Sequence, residues 1–147
     1  MYKRILVPTD GSSLSKKAIR SAVDLASSLG SEMIGVNVVP RYAESYFDGG
    51  IPVPRKEVSR IEKQWAENGQ ALADQAVQEA EKAGVKAKGV TVRSNLVAEA
   101  ILAAARKNKC DLVIMASHGR KGLKRMLLGS ETQNVLAQGK VPVLVLR

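Results

Sequence analysis

The chain has 147 residues, 45% of them hydrophobic and 25% charged, with 23 basic against 14 acidic side chains for a net charge of +9. That length fits one domain, residues 1–147, with a real core, and no run is apolar for long enough to cross a bilayer as a helix. The basic balance invites nucleic acid, but aromatics at 3% leave little to stack on bases and the basic residues are scattered, so a solvated surface is expected instead and no nucleic-acid partner.

The chain opens on Met1-Tyr-Lys-Arg-Ile-Leu, without the apolar segment and cleavage site of a signal peptide; a soluble, cytoplasmic protein is expected. Ile5-Leu-Val7 reads as a short buried strand that Pro8 ends, since proline cannot donate to a ladder. Thr9-Asp-Gly-Ser12 is a turn, and Asp10 or a serine among 12, 13 and 15 can cap the helix that follows. Leu14, Ala18, Ala22, Leu25 and Leu29 share one face of that helix, and Gly30 stops it. Met33 to Val39 is a second strand, closed by Pro40.

Arg41 to Lys56 has no clear period and holds Tyr42, Tyr46 and Phe47, so it reads as a lid, a binding loop or a disordered connection. Val58, Ile61, Trp65, Leu72, Ala76 and Ala80 mark a long second helix with Gly84 just past its end. Val85 to Val92, interrupted by Lys86 and Lys88, suggests a strand nearer a sheet edge. Val97, Ala100, Ile101 and Ala104 give a third helix, whose last turn carries Arg106 and Lys107 in keeping with the helix dipole. Cys110, the one cysteine, cannot close an internal disulfide and reads as a small buried residue.

Leu112 to Met115 is an apolar run of the kind buried on both sheet faces. Ser117 to Gly129 is a glycine-punctuated loop with Arg120, Lys121, Lys124 and Arg125, and Ser130 opens a fourth helix at capping-box spacing from Gln133. Val141 to Leu146 is a fifth strand. The alternation of strand and helix predicts an α/β fold: a parallel sheet covered by helices on both faces, with ligands at the carboxyl ends of the strands.

Strand, glycine loop, helix start is the plan of an anion site, because glycine lets amides approach closely and a helix N-terminus adds unpaired donors. Neither the P-loop Gly-x-x-x-x-Gly-Lys-Ser/Thr nor the dinucleotide Gly-x-Gly-x-x-Gly is present. The plain alternative is a connection with ordinary caps.

Gly119, nine residues, Gly129 and Ser130 resemble the nucleotide motif of the universal stress protein family, with Ala116 standing where the family motif has its first glycine. The resemblance runs the length of the chain, from Ile5-Leu-Val-Pro-Thr-Asp-Gly-Ser12 to Val141-Pro-Val-Leu-Val145. It implies a single-domain, three-layer α/β/α fold with a five-stranded parallel sheet of order 3-2-1-4-5, similar to the Rossmann and adenine nucleotide alpha hydrolase folds. It implies ATP, ADP or AMP, with Mg²⁺, in the crevice between strands 1 and 4. It also implies a homodimer through the C-terminal strand, and a regulatory protein with at most slow ATP hydrolysis.

Carried onto this chain, Pro8, Thr9, Asp10 and Val38 would meet adenine, ribose or a phosphate-bound Mg²⁺. Ala116, Ser117, His118, Gly119, Arg120, Lys121 and Gly122 would form the first part of the phosphate loop, and Gly129, Ser130, Glu131 and Thr132 its end. Each has a rival structural role: Asp10 and Ser130 as caps, Val38 as core, Gly119 as a turn. A carboxylate at Glu131 would repel phosphate if it faced the site, and Ala116 would cost about 1 kcal/mol if its φ were positive. His118, the single histidine, lacks a recognisable nucleophile partner; an ATPase or phosphotransferase using His118 or Asp10 is a second hypothesis. An interaction module without nucleotide is the third.

Overall fold

Short apolar runs alternating with stretches of 3.6 period fold as β1 (Arg4–Pro8), α1 (Ser13–Leu29), β2 (Glu32–Val39), α2 (Arg55–Lys82), β3 (Ala87–Arg93), α3 (Val97–Lys107), β4 (Leu112–Ala116), α4 (Ser130–Gln138) and β5 (Val143–Leu146). The computed structural model describes residues 1–42, 53–119 and 128–147. Tyr46 and Phe47 of the first loop, and Arg120, Lys121, Gly122, Lys124 and Arg125 of the second, lie outside the described residues.

The strands form one parallel sheet of order β3-β2-β1-β4-β5, as the resemblance implied. The order reverses between β1 and β4, which pair in the register Ile5 with Leu112 and Leu6 with Val113. Alternation along each strand divides the core. Ile5, Val7, Met33 and Ile114 pack with Ala18, Ala22, Ala76 and Ala80 of α1 and α2 on one face. Leu6, Val36, Val113 and Met115 pack with Ile101 of α3 and Val135 of α4 on the other. Every residue of β4 is buried, as its unbroken apolar run required. Burying each such side chain contributes about 1.5–3 kcal/mol.

Local signals set several boundaries. Ser12 caps α1, its Oγ accepting the Ser15 N–H at 3.2 Å. Gly30 and Gly84 close their helices at φ +68 and +73. The third and fifth strands begin two residues later than Val85 and Val141, at Ala87 and Val143, and Arg55 and Lys56 belong to α2 and not to the preceding connection. The capping box at Ser130 does not form. Gly129 is the N-cap of α4, without a side-chain bond, and Gln133 Nε2 donates to Leu128 O at 2.9 Å instead of reaching Ser130. The chain enters one residue earlier because Gly129 O already accepts the first helical bond, from Gln133 N–H.

At the amino ends of the strands a group of charges meets partners. Asp111 accepts the amides of Lys3 and Arg4 at 2.9 and 3.0 Å. The Arg4 guanidinium donates to Glu32 and to Asn108 O, and Lys86 pairs with Glu32 at 3.1 Å.

Candidate functional site: a crevice at the carboxyl ends of β1 and β4

The two central strands end in turns that the helices hold apart. After β1, Thr9 N–H donates to Val36 O of β2 at 2.9 Å, and the buried Asn37 Nδ2 donates to Thr9 O at 2.7 Å. These two bonds tie the turn to β2. Asp10 Oδ1 then accepts the Ser12 N–H at 2.9 Å, so the carboxylate is shared between the α1 entry and the crevice it lines.

After β4, the chain is fastened to α4. The Thr132 hydroxyl, 2% exposed, donates to Ala116 O and Ser117 O at 3.0 and 3.1 Å. Gly129 N–H donates to Ser117 O at 2.6 Å, and Ser117 N–H to Leu146 O at 2.7 Å. Thr132 therefore latches strand to helix with its one proton, which is then not available to a ligand. The Ser130 hydroxyl has no capping bond to serve and sits exposed at the first helical position.

Between these turns lies a hollow of about 150 Å³, a volume that suits a single ring system. Its floor and α3 wall are apolar: Val36, Val38, Val97, Ile101 and Met115. Its rim is polar, with Asp10, His118, Glu131 and Thr132. This is the crevice outside the reversal point of an open parallel sheet, where such folds bind ligands.

Twelve of the sequence-derived positions gather here or on its border. Pro8, Thr9, Asp10, Val38, Ala116, His118, Gly119, Glu131 and Thr132 line it, and Ser117 lies buried beneath the rim. Gly129 and Ser130 stand at the α4 start beside it. Arg120, Lys121 and Gly122 are outside the described residues.

Ala116 is the last residue of β4, and its φ is not positive, so alanine carries no backbone strain there. Neither Gly119 nor Gly129 has a positive φ; what a side chain would meet at each is a close neighbour. A β-carbon on Gly119 would collide with Asp10 Oδ2, and one on Gly129 would come within 3.2 Å of Ser117 O and His118 Cα. His118 Nδ1 lies 3.2 Å from Ser117 Oγ, a contact that orients the ring. Glu131 lines the crevice, with Oε2 accepting the Ala98 N–H of α3 at 3.1 Å.

Sequence reasoning did not find Asn37 or the α3 wall. Asn37 had one available signal: a polar residue inside the otherwise apolar strand 33–39. It also explains Gly69 in mid-helix, where a β-carbon would come within 2.5 Å of Asn37 Oδ1. Among the described residues no group of three or more His, Cys, Asp or Glu could hold a metal ion, and no helix is long and apolar enough to cross a membrane.

The profile of the Universal stress protein family matches residues 1–147. Universal stress protein MJ0531 of Methanocaldococcus jannaschii is 33% identical over 147 residues, covering 100% of this chain and 83% of that one. The solved structure of MJ0577 from the same organism superposes with a TM-score of 0.82 at 29% identity, covering 99% of this chain and 96% of that one. A universal stress protein crystallised in complex with cAMP superposes with a TM-score of 0.71 at 25% identity, covering 99% and 97%.

Proposed function

The chain belongs to the universal stress protein family, and from that premise we propose that it is a regulatory protein that holds an adenine nucleotide in the crevice between β1 and β4. The observation that carries this reading is the pairing of an apolar hollow of ring size with an α4 N-terminus that has no side-chain cap. The hollow suits a base. The first-turn amides and partial positive charge of α4 suit a phosphate. The neighbour in complex with cAMP supports an adenine nucleotide as the ligand class.

In this reading the base lies against Val38 and the apolar α3 wall. Asp10 meets the ribose or a Mg²⁺ ion carried on the phosphates. Gly119 and Gly129 admit the phosphates to backbone amides, and Ser130 supplies a hydroxyl. Thr132 acts indirectly, by holding the strand end to α4. ATP, ADP and AMP all belong to the class.

In this reading the protein signals through its bound state and not through turnover. Titration of ATP·Mg²⁺, ADP and AMP into nucleotide-stripped protein by calorimetry tests the reading; micromolar binding is expected, and no heat with any of the three overturns it. ATP left unchanged by the protein over a day is the expected result for a non-enzyme. Turnover lost on His118→Ala would establish the slow-hydrolase alternative.

A homodimer belongs to the same proposal. β5 is the outer strand of the sheet, and Leu144 on it and Leu136 on α4 are 42% and 43% exposed. An apolar edge of this kind is covered by pairing with a second copy. A dimeric mass at micromolar concentration is the expected finding.

A further inference from the structure

Glu131 is the rim residue that nucleotide binding, as proposed, leaves without a role. It stands in the first turn of α4, where a phosphate would meet the amides, yet it carries a negative charge. Its carboxylate is not loose. Oε2 accepts the Ala98 N–H, and α3 has no side-chain cap of its own at Leu96. Glu131 thus supplies from one helix an acceptor that the first turn of another lacks.

Two helix N-termini meet at the crevice and differ. That of α3 is answered by the protein's own carboxylate; that of α4 has no side-chain cap. An exposed glutamate would otherwise swing into water, whereas this bond pins the charge at the crevice wall beside Val97. Among the described lining residues the carboxylates are those of Asp10 and Glu131.

We infer that Glu131 is a specificity-determining residue that sets how much ligand charge the crevice accepts, favouring a nucleoside monophosphate over a metal-free triphosphate. The inference rests on the nucleotide reading above. One phosphate is answered by the α4 N-terminus. Each further phosphate adds negative charge within the ~8 Å over which the Glu131 field persists at physiological salt. Mg²⁺ neutralises part of that charge on the ligand, so the penalty falls on the metal-free forms.

The test is a charge ladder. Adenosine, AMP, ADP and ATP are titrated in chelator into the wild-type protein and Glu131→Gln. Glutamine keeps a carbonyl acceptor for the Ala98 N–H and removes the charge. The gain from the substitution is expected to grow along the ladder, from none for adenosine to about tenfold for ATP. Glu131→Ala, which also removes the cap, is expected to show the same ladder at a lower melting temperature. That pair of results separates charge from scaffold, because a purely structural role would shift all four ligands together. A uniform shift, or no shift, while the ligands still bind overturns this inference alone. Failure of all four to bind either protein overturns the nucleotide reading and this inference with it.

Discussion

The two ends of the same sheet set their charges in different surroundings. At the amino end, Arg4, Glu32, Lys86 and Asp111 answer one another or backbone groups. At the carboxyl end, carboxylates line an apolar hollow that no described lysine or arginine enters. Strands and helices impose the same ladder at both ends, so the difference lies in the side chains placed there. A sheet end built for stability satisfies its groups internally. A sheet end built for a ligand keeps small residues and open amides where a partner is to sit.

Substitutions at the two ends should therefore separate binding from stability. The largest effect is expected from Gly119→Val, whose β-carbon alone runs into Asp10 Oδ2. Nucleotide affinity should fall by about a hundredfold or more, roughly 2.7 kcal/mol, as read by calorimetry. Affinity equal to the parent's would remove the carboxyl end from the binding reading.

Asp111→Ala should do the reverse. It deprives the Lys3 and Arg4 amides of their acceptor, at a cost of about 1–2 kcal/mol, or a melting temperature lower by roughly 3–6 °C. Nucleotide affinity should stay within about twofold. Lost binding with an unchanged melting temperature would break the division between the two ends.

Acid sharpens it further. Burial pushes the Asp111 carboxyl up, but the amides of Arg4 and Lys3 outweigh this and hold it below the usual carboxylate range. Glu32 is held low by Arg4 first and Lys86 next. A carboxyl whose folded pKa is depressed contributes stability that is whole above its unfolded pKa and is lost as pH falls through the folded value. Unfolding free energy from denaturant melts should therefore hold near neutrality and decline below about pH 4. Asp111→Asn should flatten part of that decline. A curve of unchanged slope would show that the amino-end network contributes little.

The smallest effect is expected at Cys110. Burial pushes its thiol up to about 11, so it remains a neutral thiol near pH 7 and serves as a small apolar group. Cys110→Ala should cost under about 1 kcal/mol and leave binding untouched. Loss of binding would mean that the two ends are coupled through the β4 region.

Much of this architecture was legible because it is written locally. Short apolar runs, period-3.6 patterns and a cap signal placed nine elements, and Gly30 and Gly84 marked helix ends by a conformation that side chains disfavour. The fourth helix was misread at its cap. A serine followed by glutamine at the right spacing satisfies the local rule, but the bond from Gly129 N–H to Ser117 O brings the chain into the helix one residue sooner. That bond joins residues twelve apart in sequence, which a local motif does not record.

The amino-acid sequence by itself determined the succession of elements, the buried character of the central strands and, through Gly119, Gly129 and Ser130, which junctions border the crevice. Those properties follow from spacing, burial preference and backbone conformation, which act over a few residues. Only the tertiary structure decided what the border residues do. It turned Thr132 into a latch on Ala116 and Ser117, brought the Asp10 carboxylate against Gly119, and carried the Glu131 carboxylate to the amide of Ala98. A hydroxyl's partner or a carboxylate's direction depends on groups 15 to 109 residues away that the fold alone brings within three ångströms or so, and no pattern along the chain encodes that meeting.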